Sequence, residues 1–327
     1  MTKKHSHIFF SYSFDDEGKA HKLQNKEVAQ ELESKALSWV HLDVNDSESK
    51  KWLEREVSYL DHLIIDALFA EETRPRVIEF DNGLLVILRG INLNQDQDLE
   101  NMVSLRLWID ESRIISIQRH NFSAAFEIAQ KLEQGKKIKN SGEFLYNLIY
   151  EILTLVSPAI TRLGDRMDEV EEKVLGNEYD NDLREAIINL RKQATVFKRY
   201  MAPQRDVLAH LKVSDGEWIN DWARRHFQEN HDQVSRIIEE LDETRERSQI
   251  VHDELSNSIT DGVNKSMFKI SLIASVFMPL SFFAGLMGMN VGGIPGGSNP
   301  SGFYISLFFM MVFLVGAVWL FRRKKWY

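Results

Sequence analysis

The sequence predicts an α+β domain with a mixed or antiparallel sheet, then long stalk helices, then two C-terminal membrane-spanning helices. Three observations lead there. Strand-like and helix-like patterns are interleaved over the first 140 residues. From Ser141 onward the apolar spacing is helical. Near the end, residues 270–289 and 303–321 carry no charge, and each stretch is close to the ~20 apolar residues that cross a bilayer as a helix. The expected organisation is an α/β domain over 1–140, a helical stalk over 141–266 and a transmembrane hairpin over 267–327. In the hairpin, the spans lie at about 268–289 and 303–321, joined by the loop 290–302.

Residues 7–13 and 36–43 read as strands, and 47–60 as a helix carrying Trp52, Leu53, Val57 and Leu60 on one side. Residues 76–80 and 84–88 flank Asp81-Asn82-Gly83, which contains the Asn-Gly hairpin signal. Residues 103–109 alternate and turn at 110–112 into the apolar run 114–117. Residues 123–132 return to helical spacing. Consecutive strands joined by short turns make the layer mixed or antiparallel.

Phe144, Leu148, Ile152, Leu155, Ile160, Leu163 and Met167 mark the first long helix. Asp180 is placed to cap the next, which carries Leu183, Ile187, Leu190, Ala194, Phe197 and Tyr200 and is expected to end or kink at Pro203. Ser214 and Glu217 have the spacing of a capping box for a third. No strong stop follows until the loop at Asn290, with only Gly262 and Pro279 interrupting. A continuous helix of that length would span ~110 Å at ~1.5 Å per residue.

The hydrophobic fraction of 43% and charged fraction of 27% give material for a core and argue against a chain built of many membrane spans or one wholly disordered. There is no cysteine, so disulfides, thiolate nucleophiles and Cys-ligated zinc are excluded. A net charge of −9 argues against nucleic acid as a partner. Near the N-terminus, Lys3 and Lys4 are not followed by the apolar stretch of a cleavable signal. The basic tail Arg322, Arg323, Lys324 and Lys325, with Lys265 and Lys269 before the first span, sets both ends of the hairpin on the cytoplasmic side. The residues before it are then a cytoplasmic domain, and only the uncharged loop reaches the far side.

Two helices cannot enclose a water-filled path, whereas a ring of copies can. The first span is broken by Ser271, Ala274, Ser275, Ser281, Ala284, Gly285 and Gly288, small residues that let helices approach closely in lipid. One stripe, Met267, Ile270, Ala274, Met278, Ser281 and Gly285, leads through Gly288 and Met289 to Asn290, and these are the candidate pore-lining residues. The second span, rich in Phe, reads as lipid-facing. Upstream, Glu239, Asp242, Glu243, Glu246 and Asp253 share one helix face, opposite Ile237, Ile238, Leu241, Val251, Leu255 and Ile259. The plain reading is the solvated face of an amphipathic helix. The functional one is an acidic vestibule, with Glu239, Glu246 and Asp253 concentrating cations.

The last histidine is His252 and the last acidic residue Asp261, so neither span offers an imidazole or carboxylate to dehydrated zinc. A ring of Asn290 amides suits a cation that keeps its water shell, as magnesium does.

Residues 277–290, ending in Gly288-Met289-Asn290, resemble the CorA family of divalent-metal transporters at its Gly-Met-Asn triplet. The loop residues Gly292, Gly293, Pro295 and Gly296 are similar to the ZntB zinc-transporter branch; the magnesium branch tends to place acidic residues there, and this loop has none. Residues 73–77 and 199–207 and the Lys325-Trp326 ending also resemble that branch. The resemblance covers most of the chain, most weakly before Gly18. It implies a homopentamer with a cytoplasmic funnel, a pore lined by the first span, residence in a bacterial inner membrane with both termini cytoplasmic, and zinc uptake coupled to protons. The cation is cargo, and no prosthetic group is expected. No resident metal site is identified. The residues give proton coupling no support, because no titratable side chain lies in either span's apolar core.

A magnesium or cobalt channel of the same architecture is the alternative within the family. A membrane-anchored enzyme or signalling protein is the alternative outside it. No Gly-x-Gly-x-x-Gly loop, phosphate loop or His-Glu-x-x-His pair is present. A structural coiled coil would not need the small residues of the first span.

Overall fold

The computed structural model describes residues 7–324 apart from 25, 26, 58, 72, 73, 95, 96, 177–180, 215, 217, 290 and 293–298. Two compact units divide the chain, Met1–His252 and Asp253–Tyr327.

The first unit is organised on a seven-stranded sheet with strand order β2-β1-β3-β7-β6-β5-β4. In chain order the strands are β1 (Ile8–Phe14), β2 (Ala20–Lys22), β3 (Ser38–Asp43), β4 (Arg76–Phe80), β5 (Gly83–Gly90), β6 (Val103–Ile109) and β7 (Arg113–Gln118). All neighbours are antiparallel except β3 and β7, which run parallel with Val40 opposite Ile115, so the sheet is mixed. The Asn-Gly signal acts as expected: Phe80 pairs with Gly83 across the Asp81-Asn82 turn. Glycine is required there by space, since a Cβ on Gly83 would sit 2.7 Å from the Ile109 carbonyl oxygen.

Helices α1 (Val28–Glu33), α2 (Ser47–Glu56) and α3 (His62–Phe69) cover one face. Their Leu32, Trp52, Leu53, Ile64, Ile65 and Leu68 pack on Val40, Leu42, Leu85, Trp108, Ile115 and Ile117. Asp46 and Asp61 cap α2 and α3 by accepting from the Glu48 and Leu63 amides. The expected single helix over 47–60 is therefore shorter, and Val57 caps it. Asp61 starts a second helix whose short apolar run, Leu63 to Leu68, has no clear period. β2 and α1, each a few residues long, also lack a periodic signal.

On the opposite face, Phe10, Trp39 and His41 meet Phe126 of α4 (Ser123–Glu133) and Phe144 of α5 (Ser141–Leu175). α5 is apolar enough to cross a membrane, but 61% of its most apolar window is buried, and it serves as a core helix.

α6 (Asn181–Leu211) runs through Pro203 and does not end there. Met201, Val207 and Leu208 are buried on both sides of the proline, and Gln204 accepts from the Arg89 amide, so packing holds the helix across the lost hydrogen bond. Residues 215 and 217 lie outside the described residues, yet the expected box at Ser214 does not start the next helix. Ser214 Oγ donates to Glu79, the Ile219 amide donates to Gly216, and α7 (Asp221–Met287) begins after Asn220, whose side chain accepts from the Ala223 amide. The Asp180 cap lies outside the described residues. α7 is unbroken through Gly262 and Pro279 and contributes residues to both units. The second unit is completed by α8 (Gly302–Arg323).

Candidate ion-conduction segment

The two most apolar helical windows in the chain belong to α7 and α8, and both are almost wholly exposed in the single chain. Each hides one narrow stripe. On α7 it is Val276, 7% exposed, with Leu272, Leu280 and Phe283 partly buried. On α8 it is Gly302, Ser306, Met310, Leu314, Ala317 and Phe321, each partly buried. The four-residue spacing follows from ~3.6 residues per turn.

The sequence-derived stripe Met267, Ile270, Ala274, Met278, Ser281 and Gly285 lies on the opposite side of α7 from Val276, and every member is exposed, Met278 at 70%. A Cβ on Gly285 would meet nothing within 4 Å. Gly288 is tighter: its amide donates to the Ala284 carbonyl at 3.0 Å, and a Cβ there would approach that oxygen to 3.3 Å. Met289 follows with a weaker bond to Leu286, closing the helix end. Asn290, Gly293, Pro295 and Gly296 lie outside the described residues, while Gly292 is exposed.

Two hydroxyls on the apolar helices are satisfied within their own helix. Ser275 Oγ donates to the Leu272 carbonyl at 2.7 Å, and Ser306 Oγ to Gly302 at 3.0 Å. In hydrocarbon an unsatisfied hydroxyl is costly, and back-bonding removes that cost. Pro279 brings no amide to the Ser275 carbonyl, leaving one polar backbone group on this stretch free of its usual intrahelical donor.

The acidic stripe divides. Asp242 is held by Lys198 at 2.5 Å and by Arg245 at 2.9 Å, and the Lys198 hydrogen bond holds its carboxyl below the ordinary range. Glu243 lies 3.9 Å from Arg247, which also binds Asp168 and Glu171. Glu239 and Glu246 are exposed and make no ion pair among the described residues. Asp253 is exposed and opens the second unit. Of the apolar residues opposite, Ile237, Ile238, Leu241, Val251 and Leu255 are buried, but Ile259 is 51% exposed. Among the described residues no three His, Asp or Glu gather to hold a metal ion.

Beyond the mixed-sheet unit, α7 and α8 each carry an exposed window long and apolar enough to cross a membrane. The family model described as CorA-like Mg2+ transporter protein matches residues 34–323. The divalent cation transporter CmaX of Pseudomonas aeruginosa is 32% identical over 326 residues, 98% of this chain and 96% of that protein. The zinc transport protein ZntB of Yersinia enterocolitica is 32% identical over 321 residues, again 98% and 96%. Among solved structures, full-length CmaX superposes with a TM-score of 0.84 at 30% identity, over 99% of this chain and 100% of that one. The CorA magnesium transporter of Methanocaldococcus jannaschii superposes at 0.83 with 22% identity over 97% and 98%, a likeness of fold.

The chain belongs to the CorA family. Its members are transporters of divalent cations, not enzymes. The exposed stripe of α7 and the hidden stripe opposite it were unequally visible beforehand. Small residues mark the first, but in a helix apolar all round nothing in the sequence distinguishes Val276 from Ile273.

Proposed function

We propose that this protein carries zinc across a bacterial inner membrane, inward, through a pore formed by a ring of about five copies. The pore is lined by Met267, Ile270, Ala274, Met278, Ser281 and Gly285, with Gly288, Met289 and Asn290 at the far-side mouth. The observation that carries this reading is the exposure of that stripe, which includes the small residues Ala274, Ser281 and Gly285, on the side of α7 away from the buried one. A membrane helix with one face hidden and a second face of small residues left open is built to meet further helices. Glu239, Glu246 and Asp253 form the cation-attracting entrance. The N-terminal unit and both termini are cytoplasmic, held so by Arg322, Arg323, Lys324 and Lys325.

Zinc is favoured by the ZntB relatives and by the absence of acidic residues from the loop 290–302. A magnesium or cobalt channel is the second reading, favoured by the family description and by an Asn290 amide that suits a hydrated ion. Proton coupling, where it operates, uses groups outside the apolar stretches of α7 and α8, since these contain no carboxylate, imidazole or amine.

The test is flux into liposomes containing the purified protein, measured for zinc and magnesium separately, with and without a proton gradient. Zinc entry exceeding magnesium entry supports the reading, and its rise with an inward proton gradient supports coupling. Magnesium entry alone replaces zinc as cargo. Full transport by a strictly monomeric species refutes the shared pore.

A further inference from the structure

Charge on the C-terminal unit is one-sided. No acidic residue follows Asp261, and the rest of the chain carries six cations: Lys265, Lys269, Arg322, Arg323, Lys324 and Lys325. The whole chain has a net charge of −9, so this end reverses its sign. Asp261, four positions before Lys265 on the same helix, offsets at most one of the six. Lys325 lies outside the described residues, and the other five are exposed.

Helix length sets where these cations stand. From Lys269 to its end at Met287, α7 runs ~27 Å at ~1.5 Å per residue. α8, 22 residues from Gly302 to Arg323, spans ~33 Å and ends at the two arginines. The loop joins the opposite ends of the two helices, so both sets of cations lie one hydrocarbon thickness (~30 Å) away from it. Lys265 lies one turn beyond Lys269. Neighbouring residues are ~100° apart around a helix, so Arg322 and Arg323 point to different sides of α8 and make no single stripe. Arg323 lies over the Trp319 ring, 5.3 Å from its centre, and Trp319 is 59% exposed. An indole with a guanidinium over it is apolar at one end and charged at the other, as the boundary between hydrocarbon and headgroups is.

At that depth the cations meet the phosphates of the surrounding lipids. A guanidinium matches phosphate oxygens two at a time, and an ammonium acts on them as a point charge. A zwitterionic headgroup carries its own cation beside the phosphate, whereas an anionic one leaves the phosphate to the protein. Clusters of about 4–8 Lys and Arg beside a span favour anionic lipid, by about fivefold for each side chain near the surface. A docked acidic protein would meet one face, but cations spread around two helix ends match lipids that encircle them. Anionic headgroups also offset a positive field that repels a divalent cation at this end of α7.

We propose that these six cations bind the headgroups of anionic phospholipids, those with a phosphodiester and no cation of their own. The proposal rests on α7 and α8 crossing the membrane. In the experiment the full chain is reconstituted into liposomes of equal parts phosphatidylglycerol and phosphatidylcholine. It is then solubilised in mild detergent and washed on an affinity resin, and the retained lipids are counted by mass spectrometry. Phosphatidylglycerol is expected to exceed phosphatidylcholine by about tenfold or more at low salt. The excess is expected to close near 1 M salt, where the Debye length is ~3 Å. Arg322→Gln/Arg323→Gln is expected to lower the preference by about fivefold or more, with the four lysines left to hold the orientation. Arg322→Lys/Arg323→Lys, which keeps the charge, is expected to retain an excess of phosphatidylglycerol. Equal retention of the two lipids at low salt overturns the proposal, as does a preference that the Gln variant leaves intact. Displacement of phosphatidylglycerol by millimolar inorganic phosphate also overturns it, in favour of a soluble anion. Release of the reconstituted protein by alkaline carbonate is a separate result, which refutes the spanning reading itself.

Discussion

His41 gives the N-terminal unit a dependence on acid that can be worked out from its surroundings. It is fully buried on β3, stacked on Phe10 with ring centres 4.8 Å apart, edge-on to Phe126 at 5.9 Å, and its Nδ1 lies 2.7 Å from Ser116 Oγ. Its Nε2 has no hydrogen-bond partner among the described residues. Burial holds the imidazole down to about 4, against 6.5 for the free group. Between those values the unfolded chain binds a proton that the native chain does not, so stability rises with pH across the window. The contribution is fully present above about pH 6.5 and is lost as pH falls through about 4. The difference is worth about 3 kcal/mol. His41→Phe keeps an aromatic ring in the pocket and removes the titration. Guanidinium unfolding followed by tryptophan fluorescence is the assay, with Trp39 reporting from 6.2 Å away. Between about pH 7 and pH 4 the wild type is expected to lose about 3 kcal/mol more than the variant. Carboxylates titrate in both proteins and cancel in the comparison. Parallel loss in the two proteins would refute the assignment of a neutral, desolvated imidazole.

Gly83→Ala is expected to cost about 1–3 kcal/mol in the same unfolding assay, because the added methyl meets the Ile109 carbonyl at 2.7 Å and the Trp108 ring at 2.8 Å; an unchanged midpoint would mean the hairpin yields freely. Asn290→Ala is expected to abolish or strongly reduce metal uptake with assembly and thermal stability near wild type. Asn290→Gly is the sharper control, since glycine suits a helix end and removes only the amide. Normal uptake by Asn290→Gly would refute a role for the amide in conduction. Joint neutralisation, Glu239→Gln, Glu246→Gln and Asp253→Asn, is expected to reduce flux most at low ionic strength. The difference closes near 1 M salt, where the Debye length is ~3 Å; equal flux at low salt returns these residues to a solvated face.

Much of this architecture is local and was therefore legible. The β4–β5 hairpin follows from two short apolar runs on either side of an Asn-Gly turn, β6 from the alternation at its start, and α5 from its apolar period. The two apolar helices and the Gly288-Met289-Asn290 triplet need no tertiary information, because charge-free length and residue identity are enough. Other features depended on which segments meet. His41 and Ser116 are brought together across 75 positions by the parallel β3–β7 pair, and no pattern within either strand names its partner. Pro203 reads as a break because the sequence displays a missing donor and not the buried Met201 and Leu208 that hold the helix through it. Asp242 and Glu246 look alike on their helix, yet only Asp242 has Lys198 within reach. Sequence alone determined the longer elements, whose patterns lie within a few positions of one another, but not β2, α1, α3 or the passage of α6 through Pro203. Only the tertiary structure decided which charges are paired, as Asp242 is with Lys198, because Coulomb and hydrogen-bond energies depend on distances that chain order does not encode.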